Sequence, residues 1–199
     1  MNIHIKIFTL SLILLTLFTF GCKNPFNPEA TDKDTEIEGL PNNTPMNVLK
    51  NLEQAYNQKN LELYKNVLSE DFRFELIASE ADEINSGVDL DGDGCADTWW
   101  GYQREISYHT NLFRDGSSDG RYPPPDQINL TLEIPQEDLW EEDPEAGHEN
   151  WWIVTCFFEL TLEFYNRSSN QYATGYSTFY LKPENDRWYI AIWRDESFL

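Results

Sequence analysis

The sequence predicts an α+β domain in which three N-terminal helices pack on one face of a curved antiparallel sheet of about five strands. Three observations lead there. Apolar residues recur at helical spacing from Val48 to Tyr56. Apolar residues recur at every second position from Trp152 to Phe164, with neighbours that become polar toward the far end at Glu159, Thr161 and Glu163. Pro123-Pro124-Pro125 separates a helix-rich half from one that reads as strand throughout.

Thr44-Pro45 opens the first helix, a side-chain cap followed by proline at the first helical position. Val48, Leu49, Leu52, Ala55 and Tyr56 form its buried stripe. Asn60 caps a second short helix carrying Leu61, Tyr64 and Leu68. Phe72, Phe74, Leu76 and Ala78 alternate with Arg73, Glu75 and Ile77 and predict the first strand. An acidic loop spans 79–98, and a third helix runs from Trp99 to Phe113 with Tyr102, Ile106, His109 and Phe113 on one face. Beyond the rigid proline turn, Ile128, Leu130, Leu132 and Ile134 mark a strand, and Pro135 to Asn150 a second acidic loop. Trp152, Val154, Cys156, Phe158, Leu160, Leu162 and Phe164 make the longest alternation. Tyr172 to Lys182 and Arg187 to Asp195 complete the sheet.

This order resembles the NTF2-like (SnoaL-like, cystatin-like) superfamily over about residues 44–196. Leu52-Glu53-Gln54-Ala55-Tyr56 through Leu68-Ser69-Glu70-Asp71-Phe72 is similar to its first two helices and strand. Asp186-Arg187-Trp188-Tyr189-Ile190-Ala191-Ile192-Trp193-Arg194-Asp195 is similar to its last strand. The resemblance implies a conical pocket between helices and sheet. Some members place Asp, His, Tyr or Arg there as acid, base or oxyanion donor, as in ketosteroid isomerases, dehydratases and epoxide hydrolases. The candidates here are Glu75, Tyr102, His109 and Arg194. No enzymatic constellation of the family matches residue by residue, so no catalytic residue is assigned. A lone histidine on an apolar helix face, as His109 is, is more often a satisfied core or rim residue, and His148 in the acidic loop reads as solvated.

The first 21 residues have the proportions of a secretory signal. Lys6 precedes an apolar run from Ile7 to Phe20 that is too short to span a bilayer as a helix. Gly21-Cys22 then resembles the cleavage point of a bacterial lipoprotein, in which Cys22 is lipidated and becomes the first mature residue. Residues 1–21 therefore read as a signal peptide, 22–43 as a flexible proline-broken tether, and 44–199 as the domain. The address is the cell envelope, lipid-anchored. Lys23 in place of an aspartate after the lipidated cysteine leans toward the outer membrane. The formal charge is −21, and loss of the signal removes one lysine and no acid, giving −22. Such a chain repels nucleic acid and anionic headgroups. A solvated acidic surface explains most of that charge.

Asp89-Leu90-Asp91-Gly92-Asp93-Gly94-Cys95-Ala96-Asp97 is the sharpest motif in the mature chain. Carboxylates at every second residue converge on one hard cation when the chain turns sharply between them. Asp89, Asp91, Asp93, the Cys95 carbonyl and Asp97 are the ligands this spacing offers, with Gly94 at the turn. The loop resembles the D-x-D-x-D-G-x-x-D calcium sites of EF-hands, dockerins and thrombospondin type 3 repeats. It departs from the EF-hand at position twelve, where Trp100 stands in place of a bidentate glutamate. A bound calcium would be structural, stapling the exit of the first strand to the third helix. An Asx-rich turn without an ion is the alternative.

Export permits a Cys95–Cys156 disulfide, but Cys156 sits mid-strand and also fits a buried free thiol. Most of the tryptophans read as core or sheet cover. Tyr172, Tyr176 and Tyr180 form a stripe that faces either a second copy of the chain, giving a homodimer through the sheet face, or neighbouring strands. The function expected is non-catalytic binding or scaffolding at the envelope. The rival is a pocket enzyme of the isomerase, dehydratase or hydrolase kind. A carbohydrate-binding accessory role would need at least two tryptophans exposed in one plane.

Overall fold

The structure, a computed structural model, describes residues 39–76, 97–165 and 170–198. Helix α1 (Pro45–Asn57) begins where Thr44 Oγ1 accepts the Asn47 N–H at 3.2 Å. Helix α2 (Leu61–Val67) begins where Asn60 Oδ1 accepts the Leu63 N–H at 3.0 Å. Each cap satisfies a first-turn donor that has no partner within the helix. Strands β1 (Leu68–Leu76) and β2 (Trp99–Gly101) follow, then α3 (Tyr102–Thr110), which widens into a π-helical turn at Asn111–Asp115. Strands β3 (Gln127–Glu133), β4 (Glu141–Glu142), β5 (Trp152–Glu163), β6 (Gln171–Glu184) and β7 (Arg187–Phe198) complete the chain.

The strands form one open sheet in the order β2-β1-β7-β6-β5-β3, with β4 also on β5. All pairs are antiparallel except β1 with β7. The helices bury Val48, Leu49, Leu52, Leu63 and Val67 against the inward residues of the strands, among them Ile128, Val154, Phe179, Leu181 and Ile190. The α+β layout implied by the family resemblance is the layout observed.

Three details differ from expectation. Among the described residues the sheet has seven strands, not about five, because two short pairings (β2 and β4) carry no alternation long enough to read. The third helix starts at Tyr102, not Trp99. Trp99 and Trp100 instead extend beside β1, where Trp100 stacks on Phe74 at 4.4 Å between ring centroids. The first strand starts at Leu68, whose helical spacing after Tyr64 is coincidental; Ile77 and Ala78 lie outside the described residues.

The ordered body also begins before Thr44. Residues 39–43 form a strap across α1, α2 and β7. Asn51, fully buried, accepts the Leu40 N–H at 2.8 Å and donates to Leu40 O at 2.7 Å and to Asn42 Oδ1 at 2.8 Å. Asn42 donates to Asn66 O at 2.8 Å, and its own carbonyl accepts the Trp188 N–H at 2.7 Å. Gly39 passes so close to α2 that a Cβ there would lie 2.6 Å from Leu63 Cδ1. The tether expected to reach Asn43 is therefore replaced by an anchored segment over its last five residues.

Strand β3 is an edge of the sheet, yet its outward backbone is occupied. Asn57 donates to Leu130 O at 3.0 Å and accepts the Leu130 N–H at 2.6 Å, and Glu53 Oε2 accepts the Leu132 N–H at 2.9 Å. Two α1 side chains four residues apart thus stand in for a neighbouring strand, which blocks pairing with another chain. The Glu53→Ala/Asn57→Ala double variant is expected to lose about 1–3 kcal/mol and to self-associate with concentration. Size-exclusion chromatography with light scattering checks this, and a profile identical to that of the wild type at all concentrations would contradict the capping role.

Candidate functional site

Four ionisable side chains meet between the helices and the sheet. Tyr56 comes from the last turn of α1, Tyr64 from α2, and Glu105 and His109 from successive turns of α3, where a spacing of four puts both on the inner face. All are buried, Glu105 to 1 % exposure and His109 to 8 %. Glu105 accepts from Tyr64 Oη on one oxygen and from Trp100 Nε1, at 2.5 Å, on the other. His109 Nδ1 lies 3.1 Å from the same carboxylate and 3.2 Å from the Glu105 carbonyl, so this nitrogen carries a proton. His109 Nε2 lies 2.5 Å from Tyr56 Oη. The result is a carboxylate–imidazole–phenol relay.

Aromatic rings enclose it. Tyr64 stacks on His109 at 3.9 Å, Phe113 stands edge-on to His109 and Tyr56 at 5.3 Å from each, and Trp193 closes the sheet side of Tyr56 at 6.4 Å. Burial, and then the Glu105 charge, push both phenols well above the ordinary tyrosine value, so they stay protonated. Burial also pushes the Glu105 carboxyl up. The His109 charge and the hydrogen bonds from His109, Tyr64 and Trp100 outweigh it and leave the carboxyl below its ordinary value.

The arrangement has the parts of a proton relay, and among the described residues aromatic rings pack directly against it. The space where the resemblance implies a pocket is filled by Tyr64, Phe113 and Trp193. Cavities among the described residues lie elsewhere, for example about 450 Å³ beside Leu160, Leu162 and Tyr172 and about 340 Å³ beside Lys65 and Tyr102.

Of the sequence candidates, only His109 belongs to this cluster. Glu75 and Arg194 pair on the opposite sheet face, with Arg194 Nη2 2.8 Å from Glu75 Oε2, and Arg194 also donates to Tyr180 Oη at 3.0 Å. Tyr102 stands at the start of α3 beside Lys65 and Glu70, lining a different cavity. Glu105, Tyr56 and Tyr64 were not singled out from sequence. The signal for Glu105 was its spacing of four from His109 on a face otherwise apolar.

His148, read as solvated, is in fact half-buried. Its ring stacks on Trp151 at 3.8 Å and its Nδ1 lies 2.7 Å from Asp143 Oδ2, because the turn at Glu145–His148 folds the ring back over the loop. Cys156 is a free, fully buried thiol pushed up to about 12 by burial. All seven tryptophans are partly buried, so no exposed tryptophan plane exists. Tyr172 and Tyr176 are exposed on the sheet face away from the helices, while Tyr180 is held by Arg194.

Cys22, Asp89, Asp91, Asp93 and Cys95 lie outside the described residues. Asp97 is half-buried just before β2, and the next carbonyl, of Thr98, accepts the Leu76 N–H at 2.7 Å. Residues 77–96, which include the aspartate motif up to Ala96, lie outside the described residues, between the ends of two antiparallel strands that are hydrogen-bonded to each other. Among the described residues no helix is long and apolar enough to cross a membrane.

Neither a protein-family profile nor a curated protein matches the sequence. Solved structures do match. A conserved protein from Planctomyces limnophilus DSM 3776 is similar at 8 % identity with a TM-score of 0.52, over 76 % of this chain and 91 % of that one. The two share a fold. An NTF-2-like protein of unknown function from Shewanella oneidensis MR-1 matches at 15 % identity and a TM-score of 0.41, over 76 % of this chain and 93 % of that one. A ketosteroid isomerase-like protein from Erwinia carotovora atroseptica SCRI1043 matches at 11 % and 0.45, over 74 % and 88 %.

Proposed function

We propose that this chain is a lipid-anchored protein of the bacterial cell envelope that works by binding or scaffolding and not by catalysis. The observation that carries the non-catalytic reading is the filled interior. The buried groups fit for acid–base work spend their hydrogen bonds on one another, and three aromatic rings occupy the space a substrate would need. The second reading, a pocket enzyme, draws on the Glu105–His109–Tyr56 relay.

Chemical access separates the two. Diethyl pyrocarbonate is expected to leave His109 unmodified in the folded protein and to modify it only after unfolding. Modification at the native-state rate of an exposed histidine would favour the enzyme.

The anchor is proposed from Gly21-Cys22 and the apolar run before it. Replacing Cys22 by serine is expected to move the protein from the membrane to the soluble fraction. Intact mass of the native protein checks for acyl chains on a new N-terminal cysteine, and a full-length chain with an unmodified thiol would overturn the assignment. The calcium reading is proposed from the spacing of the aspartates: an ion held by Asp89, Asp91, Asp93, Asp97 and the Cys95 carbonyl would clamp the segment between β1 and β2, whose strand ends are joined by the Leu76–Thr98 hydrogen bond. Millimolar calcium is expected to raise the melting temperature, and no shift would remove the site. Self-association through the face bearing Tyr172 and Tyr176 is expected to be lost in Tyr172→Ser/Tyr176→Ser.

A further inference from the structure

The second acidic loop holds a cluster that neither the buried relay nor the aspartate motif uses. Strand β4 pairs with Trp152 and Ile153 at the start of β5, and the Asp143 N–H donates to Trp151 O at 3.0 Å. The turn between them is therefore closed at its base. Within it the His148 N–H donates to Glu145 O at 3.0 Å, and the Trp151 N–H donates to His148 O at 3.1 Å. Gly147, with φ of 96°, takes the left-handed conformation that brings the chain round. The turn gathers Asp143, Glu145 and His148, with one donor atom from each within 4.8 Å of the others.

Two features separate this cluster from a solvated acidic turn. The first is an uncompensated buried charge. The Asp143 side chain is only 3 % exposed, and a second carboxylate, Glu145, stands beside it. Among the described residues, the one cation-forming side chain paired with either is His148, whose Nδ1 lies 2.7 Å from Asp143 Oδ2 and 3.8 Å from Glu145 Oε2. A histidine is charged only when protonated. The nearby Lys182, 5.8 Å from the centre of the Trp151 ring, is engaged by Asp71 at 2.8 Å and Glu184 at 3.6 Å. A divalent cation would complete the compensation that one imidazole leaves short. The second feature is rigidity. The His148 ring lies flat on Trp151, 3.8 Å away and 3° from parallel, and Asp143 Oδ1 accepts the Glu145 N–H at 2.9 Å. Two of the three donors are thus held before any ion arrives.

We propose that this turn binds a divalent transition-metal ion through Asp143, Glu145 and His148. Donor atoms that each lie about 2.0–2.2 Å from one ion stand roughly 3–3.5 Å apart. His148 Nδ1 and Asp143 Oδ2 reach that spacing by parting less than about 1 Å, and the Glu145 side chain, 69 % exposed, is free to close in. The ion takes the place of the proton between Asp143 and His148, and the ring keeps its proton on Nε2. The imidazole nitrogen selects the ion. Calcium and magnesium take oxygen ligands, whereas one nitrogen with two carboxylates suits zinc and its neighbours. Water fills the positions that three protein donors leave open. The site is independent of the anchor at Cys22, of the aspartate motif and of the reading of the interior.

The test titrates the purified full chain, stripped of metal by chelation, with zinc chloride at neutral pH, and follows backbone amides and imidazole nitrogens by magnetic resonance. Saturable shifts are expected over residues 143–151, with the His148 Nδ1 resonance moving in step and the ring fixed in the tautomer protonated at Nε2. Read from the amides of that turn, Asp143→Asn and His148→Gln are each expected to weaken zinc binding roughly 10-fold or more, at least what loss of an outer-shell partner costs. Glu149→Gln, an acid on the same turn outside the cluster, is expected to leave it unchanged. Because the aspartate motif also offers carboxylates, the His148 nitrogens of the wild type are the deciding readout, and they stand even where a variant loosens the turn. His148 nitrogens unmoved at saturating zinc, displacement of zinc from the turn by an equal concentration of calcium, or wild-type affinity at the turn in both ligand variants would overturn the proposal.

Discussion

Glu105→Ala is expected to lose about 3–5 kcal/mol, read from urea denaturation, because it removes the acceptor at the centre of a buried polar cluster. Trp100 Nε1 is left without its acceptor, Tyr64 Oη keeps only Tyr56, and the proton on His109 Nδ1 keeps only the Glu105 backbone carbonyl. For a domain of this size the loss corresponds to a fall of roughly 10 °C in melting temperature. Glu105→Gln keeps the shape but turns an NH2 group toward one of the donors, and is expected to cost less. The pH dependence follows from the same geometry. The folded carboxyl lies below its ordinary value of 4.5, so its stabilising contribution is complete above that value and is lost as the pH falls through the lower folded value. Acid unfolding of the wild type should therefore show a carboxylate step that Glu105→Gln lacks. Identical acid profiles, or an alanine variant as stable as the wild type, would refute the central role given to Glu105.

Asn51→Ala is expected to lose about 2–4 kcal/mol, since three hydrogen bonds to the strap disappear and the Leu40 N–H, Leu40 O and Asn42 Oδ1 each lose their Asn51 partner. The loss should be local at first. Limited proteolysis is expected to cut within residues 39–43 of the variant and not of the wild type, before the sheet unfolds. Asn51→Asp is expected to be worse, because it sets a charged acceptor against two existing acceptors in a dry site. A strap as protease-resistant in Asn51→Ala as in the wild type would show that Asn42 and Gly39 hold it unaided.

Where burial follows a simple period, the fold was legible. The alternation from Trp152 onward reads directly as β5, with Val154 and Cys156 inward, and Thr44 and Asn60 announce their helices through side chains that do cap them. The misreadings share one cause, which is tertiary pairing overriding a local pattern. Trp99 and Trp100 fit a helical face as well as a strand, and only the presence of β1 beside them decides. Leu68 continues the spacing of α2, yet β7 recruits it into a strand. The strap escaped because asparagines in a polar, proline-flanked stretch read as solvated, and nothing local reveals that Asn51 is buried beneath them. At the candidate site His109 stood out by its apolar surroundings. Its partners did not, since a glutamate and two tyrosines on separate helices meet only after the helices pack.

The occupied rim of β3 has a consequence at a surface. Molecules leashed to a lipid sheet meet their neighbours at far higher local density than molecules free in solution, and every bare strand border becomes a template for zipping one body to the next into ribbons. Asn57 and Glu53 shut that border with side chains drawn from the same molecule. Under the anchor proposed at Cys22, the β3 border of each molecule would offer its neighbours no such template.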